Sequence, residues 1–206
     1  MKPNEFINDR KGANNMELKS IKVQPQSKEF DEVARLIQSE FPKDEQSPLT
    51  RLSDRLKNPA FDCTAYYDGD EFVGFAYLII SERAVFGLYT AIRRDIQSQG
   101  YGSAILREIK QRFADREFTF NIEEPKDGYD NTEQRKKRLR FYERLGFAPT
   151  GYQALYENVK YWVMSNHGTD FDRDAYEELF LTLLGEEYLP KLEKIPDQMQ
   201  REGENK

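Results

Sequence analysis

One stretch in the first half of the chain combines three strand patterns with tight turns, and it restricts the folds that the chain can adopt. Phe61–Tyr67 alternates between the two faces of a strand, and Asp68-Gly69-Asp70 then supplies a hairpin turn. Phe72–Ile80 is apolar on both faces, which is typical of a central strand, and Val85–Ile92 follows after another short turn. Strands joined by turns this short predict an antiparallel meander.

A change of pattern after the meander adds a parallel strand. Residues 97–102 form a glycine-containing loop, after which apolar residues at four-residue spacing predict a helix over Gly102–Phe113. Phe118–Glu123 alternates again and predicts a strand. A strand, a helix and a second strand in this order form a βαβ crossover, so we expect the two strands to lie parallel.

The flanking segments add further strands and helices. Strand patterns occur at Leu18–Val23, Tyr152–Tyr156 and Lys160–Met164, the last two as a closing hairpin. Helical patterns occur at residues 30–41, 49–57 and 133–145, with Ser27 capping the first and Gly146 ending the last. The predicted fold class is therefore α/β (α+β), with a mixed, mostly antiparallel central sheet of about six to seven strands and flanking helices.

The two ends of the chain differ from its centre. We expect residues 1–15 to form a flexible tail, residues 16–166 a single domain, and residues 198–206 a disordered tail. Residues 167–197 carry two apolar stripes, one from Tyr176 to Leu184 and one from Tyr188 to Ile195, and Thr169 or Asp170 can cap the first. They are expected to form a C-terminal helical extension that packs on the domain or on a second subunit, which leaves a homodimer open.

The composition argues against several classes of protein. A net charge of −6 over 206 residues repels nucleic acid and anionic membranes. The basic run at 135–140 suggests nucleic-acid binding as an alternative function, and the net charge argues against it. No segment approaches the ~18 apolar residues of a membrane-spanning helix. With one cysteine, Cys63, and one histidine, His167, the chain cannot form an internal disulfide or a Cys/His zinc site. We expect a cytoplasmic protein without a metal, with Cys63 as a buried apolar residue.

The glycine-containing loop is the segment with the clearest chemical meaning. Gly100 and Gly102 allow a tight turn into the helix, whose first turn offers unpaired amides at the positive end of the helix dipole. Such a turn binds anions and suits a pyrophosphate. A dinucleotide fingerprint would need a glycine at Ile105, and a P-loop would need Gly-Lys-Ser/Thr, so both rival phosphate loops fit less well.

Two motifs resemble those of the GNAT family of N-acetyltransferases. The first, Gln97-x-x-Gly100-x-Gly102, follows five residues after the strand end at Ile92, and the second is the helix end Phe141-Tyr142-Glu143-Arg144-Leu145-Gly146-Phe147. The order of elements from about Leu18 to Met164 is also similar to that of the family. The resemblance implies the GNAT fold for residues 16–166, with acetyl-CoA as co-substrate. It further implies transfer of an acetyl group to a primary amine of a small molecule or peptide by direct attack on the thioester.

The resemblance also assigns residues to the cofactor. Pantetheine would bond to the main chain near Ala91 and Ile92, and the diphosphate would lie on amides between Ser98 and Ser103. Arg93 and Arg94 are placed to attract the phosphates. The cofactor-binding set implied in this way is Ala91, Ile92, Arg94, Gln97, Ser98, Gln99, Gly100, Tyr101, Gly102 and Ser103.

Two residues are assigned to the transfer chemistry. The resemblance implies Tyr142 as the acid that protonates the leaving thiolate, a role that suits a phenol. The amine must lose a proton to attack, and for the base we favour Glu123, with Glu124 or a water chain as alternatives. The sequence departs from the family pattern at Arg135 and Arg138, where many relatives carry Asn and Ala. Without a working base, the chain would instead be a non-catalytic acyl-CoA-binding regulatory module.

Overall fold

The computed structural model describes residues 16–156 and 159–196, which form two compact units. One unit consists of the residues up to Ile80 together with Leu88–Arg112, and the other of Ser81–Gly87 and the residues from Phe113 onward. The predicted tails at 1–15 and 198–206 lie outside the described residues. Within the described ranges, no helix has both the length and the apolar character that crossing a membrane requires.

Eight strands and five α-helices make up the described part of the chain. The strands are β1 (Lys19–Lys22), β2 (Phe61–Asp68), β3 (Glu71–Ile80), β4 (Ala84–Ile92), β5 (Glu117–Glu123), β6 (Ala148–Tyr156), β7 (Val159–Ser165) and β8 (Lys191–Lys194). The helices are α1 (Lys28–Glu40), α2 (Leu49–Arg55), α3 (Tyr101–Arg112), α4 (Thr132–Arg144) and α5 (Arg173–Leu183). The strands follow the order β1-β2-β3-β4-β5-β7-β6-β8 in a mixed sheet, which confirms the predicted fold class.

In the first unit, the local signals of the sequence are confirmed. β2 pairs antiparallel with β1 and with β3, and Gly69, with a φ of 60°, forms the hairpin turn between Asp68 and Glu71. The Phe30 amide donates a hydrogen bond of 3.1 Å to Ser27 Oγ, which caps α1. The helix then buries its apolar stripe, as the periodicity predicts.

In the second unit, the βαβ prediction is confirmed by the pairing of β4 with β5. The two strands run parallel, from Ala84 opposite Glu117 to Gly87 opposite Phe120. The other pairs of this unit, β5 with β7, β6 with β7 and β6 with β8, are antiparallel. As predicted, α4 ends where Gly146 takes the left-handed conformation, with a φ of 78°.

The C-terminal segment departs from the predicted helical extension. The first apolar stripe forms α5, but its cap is Asp172, which accepts from the Ala175 amide at 3.0 Å, rather than Thr169 or Asp170. The second stripe forms β8 instead of a helix, and this strand brings the sheet to eight strands rather than six or seven. Pro190 disfavours the helical conformation of the residue before it, and β6 supplies the backbone hydrogen-bond partners of β8.

The residues with thiol or imidazole chemistry lie as the sequence predicts. Cys63 in β2 has 0 % of its surface exposed, and burial raises the pKa of its thiol. His167 lies in an exposed turn after β7. Across residues 16–156 and 159–196, no group of three His, Cys, Asp or Glu side chains is arranged to hold a metal ion.

Candidate functional site

The segment between β4 and α3 is held at its start by Arg93. The Arg93 amide donates to the Val73 carbonyl at 3.0 Å, and its guanidinium donates to Glu71 Oε1 at 2.7 Å. The same guanidinium also pairs with Asp95 in the following turn. Arg93 is therefore engaged with β3 and with its own loop, whereas the Arg94 side chain is 76 % exposed and approaches one carboxylate at 3.5 Å. Of the two predicted phosphate arginines, Arg94 is the less engaged and can turn toward a ligand if it releases Glu40.

The loop that follows presents backbone amides without internal acceptors. Ser98 and Gly100 lie in the left-handed region, with φ angles of 67° and 95°. When left-handed and ordinary backbone conformations alternate along a chain, successive amides point to the same side and form an anion-binding concavity. In the described part of the chain, none of the amides from Ser98 to Ser103 donates to another residue. Unpaired amides at the start of a helix are the donors that a diphosphate requires.

The predicted cofactor residues differ in exposure and in their partners. Gln97, Ser98 and Gln99 are exposed, Ile92, Gly100 and Gly102 are half-buried, and Ala91, Tyr101 and Ser103 are buried. Gln97 Nε2 donates to the Ile92 carbonyl at 3.2 Å, so this side chain closes the loop. The Tyr101 hydroxyl donates to Asp68 Oδ2 at 2.7 Å, which ties α3 to the β2–β3 turn and raises the pKa of the phenol. The backbone of Tyr101, rather than its ring, is therefore the part available to a ligand.

The sequence patterns did not point to Gly74 in β3, although it shapes this site. A Cβ atom at this position would lie 2.4 Å from the Ala91 carbonyl oxygen and 3.2 Å from the Cα of Ile92. The pairing of β2 with β3 also shifts register here, between Tyr66 and Tyr67. A glycine inside an apolar strand is the sequence signal for such a close backbone approach. Gly74 thus allows the end of β4 to lie tightly against β3.

In the second unit, Tyr142 lies on the face of α4 that packs on β5. Its ring centroid is 4.4 Å from that of Phe120 and 6.5 Å from that of Phe147. The side chain is half-buried, and no hydrogen bond of its hydroxyl is found within the described residues. Burial raises the pKa of this phenol, and the positive charge of Arg138 partly opposes that rise. Tyr142 is therefore protonated at neutral pH and has a hydroxyl hydrogen to donate, as a general acid requires.

Glu123, at the end of β5, is held by two arginines of α4. Its Oε1 accepts from Arg135 Nη2 at 2.7 Å, and its Oε2 accepts from Arg138 Nη1 at 3.1 Å. Such charge-assisted bonds are stronger than those between neutral groups. Both oxygens of Glu123 are thus engaged, while a general base must direct a free lone pair at the proton that it removes.

Glu124, the alternative base, has a different environment. It is 4 % exposed, its amide donates to the Lys160 carbonyl at 3.3 Å, and its carbonyl accepts from Arg135 Nη1 at 3.1 Å. For its carboxylate, in contrast, no hydrogen bond or ion pair is found among the residues that the structure describes. Of the two candidate bases, Glu124 is the one whose carboxylate oxygens are unoccupied.

Arg135 organises the connection between β5 and α4. Besides its bonds to residues 123 and 124, its Nε donates to Asn131 Oδ1 at 2.8 Å, and its guanidinium carbon lies 3.9 Å from the ring centroid of Tyr129. Only 12 % of the Arg135 side chain is exposed. The basic run that raised nucleic-acid binding as an alternative thus contributes this arginine to internal contacts. In the sequence, Arg135 stands out as a departure from the family pattern. No local rule identifies its partners at residues 123, 124, 129 and 131.

Known proteins are similar to this chain both in sequence and in fold. The sequence matches the family model described as "Acetyltransferase (GNAT) domain" over residues 59–149. No curated protein matches the chain. Among solved structures, a GNAT-family acetyltransferase from Bacteroides thetaiotaomicron is similar, with a TM-score of 0.67 and 18 % identity over 81 % of this chain and 98 % of that one.

Two further similar structures contain ligands. An aminoglycoside 6'-N-acetyltransferase complexed with coenzyme A has a TM-score of 0.56 and 15 % identity, over 71 % of this chain and 94 % of its own. Naa50 from Arabidopsis thaliana, in complex with the bisubstrate analogue CoA-Ac-MVNAL, has a TM-score of 0.56 and 17 % identity, over 72 % and 97 % respectively. These likenesses confirm the fold that the two sequence motifs implied.

Proposed function

We propose that the chain is an N-acetyltransferase that transfers the acetyl group of acetyl-CoA to a primary amine of a small molecule or peptide, since residues 59–149 match a GNAT acetyltransferase domain. The observation that carries the proposal is the set of unpaired amides from Ser98 to Ser103, which fits the diphosphate of coenzyme A. Structural neighbours solved with coenzyme A or with a CoA-containing bisubstrate analogue support the same assignment.

The proposed reaction is a direct transfer. The neutral amine attacks the carbonyl carbon of the thioester, so a carbon–nitrogen bond forms and the carbon–sulfur bond breaks. The amine nitrogen loses one proton to a base and the thiolate gains one, which leaves the N-acetylated amine and the thiol of coenzyme A. Tyr142 is proposed as the donor of the second proton, since its hydroxyl is protonated and has no partner in the described residues.

For the base, the contacts favour Glu124 over Glu123. We assign proton acceptance to Glu124, whose carboxylate has no partner in the described residues, and assign Glu123 to holding α4 on the end of β5. Glu124→Gln is expected to lower kcat/KM by about a hundredfold or more, with partial recovery as rising pH supplies neutral amine. Glu123→Gln should mainly lower the free energy of unfolding. If Glu123→Gln lowered kcat/KM and Glu124→Gln did not, Glu123 would be the base. Normal rates in both variants would leave a water chain as the proton acceptor.

Cofactor binding is tested by calorimetry with coenzyme A and with pantetheine, which lacks the diphosphate. Coenzyme A should bind at least about tenfold more tightly, because pantetheine leaves the loop amides unpaired. Gly100→Glu places a carboxylate in the anion site and should abolish binding. Gly128→Glu is the matched control, since Gly128 is also left-handed, with a φ of 104°, and a Cβ there meets no atom within 4 Å. Absence of binding, or equal loss in both variants, would overturn the proposal.

Transfer itself is tested by thiol release from acetyl-CoA in the presence of a panel of primary amines. The panel combines aminoglycosides, polyamines and peptides with a free N-terminus, because the structural neighbours include acetyltransferases named for small molecules and one solved with a peptide-bearing analogue. Acetylation of any member supports the enzyme. Binding of coenzyme A without transfer to any amine would support the acyl-CoA-binding regulatory module instead. Light scattering on the same samples tests whether the chain forms the homodimer that its sequence leaves open.

A further inference from the structure

The strand β8 forms one edge of the sheet. It pairs with β6 on one side, and among the described residues no strand pairs with its other side. The strand has only four residues, with the sequence Lys-Leu-Glu-Lys. The outer side of an edge strand presents backbone amides and carbonyls that can pair with a further strand.

The pairing with β6 determines which residues of β8 present these groups. The Ile195 amide donates to the Gly151 carbonyl at 2.8 Å, in the same antiparallel register as β8. In such a pair, residues bonded to the neighbouring strand alternate with residues whose backbone groups face away. Glu193 therefore faces β6, whereas Leu192 and Lys194 face outward. No hydrogen bond of these outward groups is found among the residues that the structure describes.

The side chains of β8 carry a charge pattern that complements its own reverse. Lys191 and Glu193 share a face of the strand, with 2.6 Å between Nζ and Oε1, and their side chains are 71 % and 34 % exposed. An antiparallel second copy centred on Leu192 would set each Lys191 opposite Glu193 of the other copy. It would also set the two Leu192 residues opposite each other. Opposite charges at directly opposed positions stabilise a sheet.

Other registers of two β8 strands bring like charges together. Outward backbone groups can bond only to outward groups, so the two-fold axis must pass through a residue of the strand. Centring the pair on Lys191, Glu193 or Lys194 places a charged residue opposite its own copy, which destabilises the pairing. The register centred on Leu192 is therefore the one that the charges of β8 favour.

We propose that β8 is a self-association surface, through which two copies of this chain join antiparallel about Leu192 and form a two-fold dimer. Each copy uses the same strand, so the interface is closed and adds no third copy. Because only a four-residue strand is shared, the interface is small and the dimer should dissociate on dilution. The inference goes beyond the proposed acetyltransferase function and does not depend on it.

The test is charge reversal, with self-association measured by analytical ultracentrifugation from micromolar to millimolar concentrations. Lys191→Glu and Glu193→Lys should each weaken the dimer at least about tenfold, since both opposed pairs become like-charged. An equimolar mixture of the two variants should form a mixed dimer, because each variant carries the charge that the other lacks. The ion pair within each chain stays broken in the mixture, so recovery cannot come from the stability of the single chain.

Two further variants separate the interface from general effects of charge and folding, and circular dichroism checks that each variant is folded. Lys194→Glu changes the net charge as Lys191→Glu does, but no charge opposes it in this register, so the dissociation constant should stay within about twofold. Leu192→Pro removes an outward amide hydrogen and spares the bonds to β6, so it should abolish the dimer. A wild-type chain that stays monomeric, a mixture without recovery, or equal weakening by Lys194→Glu would overturn the proposal.

Discussion

Replacing Gly74 with alanine tests whether the close approach of β3 positions the end of β4, to which pantetheine is proposed to bond. The new Cβ atom would lie 2.4 Å from the Ala91 carbonyl oxygen, whereas carbon–oxygen contacts normally lie at about 3.3 to 3.6 Å. The atom in the way belongs to the backbone, so β4 must move by about 1 Å to relieve the overlap. Overpacking of this kind costs about 1–3 kcal/mol, and we expect the free energy of unfolding to fall by that amount.

The same displacement should weaken cofactor binding. Ala91 and Ile92 are the residues whose main chain is proposed to bond pantetheine, and a shift of the strand misaligns that contact. Loss of one hydrogen bond, worth about 1 kcal/mol, weakens binding about fivefold. The diphosphate contacts at 98–103 should persist, so binding should be reduced rather than abolished.

Urea unfolding and calorimetry with coenzyme A measure the two effects, with Gly87→Ala in β4 as the control. Neither glycine has a left-handed φ, but a Cβ at Gly87 would meet the Phe118 side chain at 3.3 Å, and a side chain can yield where backbone cannot. The Gly87 variant should therefore lose less stability than the Gly74 variant. Equal losses, or a Gly74 variant as stable and as tightly binding as the wild type, would refute the reasoning.

Further predictions concern the loop, the acid and the phosphate arginine. Ser98→Val puts a β-branched residue at a φ of 67° and should cost a part of the ~1–2 kcal/mol left-handed penalty beyond what serine already carries, seen as a lower Tm and weaker coenzyme A binding; an unchanged Tm would contradict it. Tyr142→Phe should lower kcat about a hundredfold with an unaltered dissociation constant of coenzyme A, and unchanged turnover would remove Tyr142 as the acid. Because burial raises the pKa of Tyr142 and the acid must be protonated, a pH–rate profile should show alkaline loss from this group at a higher pH than an exposed tyrosine would give. Glu40 approaches Arg94 at 3.5 Å, so Glu40→Gln should free Arg94 and tighten coenzyme A binding up to about threefold by calorimetry; weaker binding would count against it.

Local patterns in the sequence determined the meander, the crossover and the phosphate loop. The period of apolar residues and the turn residues between Asp68 and Glu71 act over a few positions, so they can be read without knowing the rest of the fold. The Ser27 cap and the end of α4 at Gly146 are local in the same sense. The proposed anion site also follows from local chemistry, because it consists of the backbone amides of one turn.

Tertiary contacts decided the features whose partners are distant in sequence. An apolar stripe near Leu192 fits a helix or a strand equally, and the pairing of β8 with β6 makes it a strand. The pairing of Glu123 with Arg135 and Arg138 arises because the end of β5 meets α4. Gly74 is required because the backbone of Ala91 approaches it from another strand. Burial and ion pairing depend on which elements meet, and the spacing of residues along the chain does not encode that.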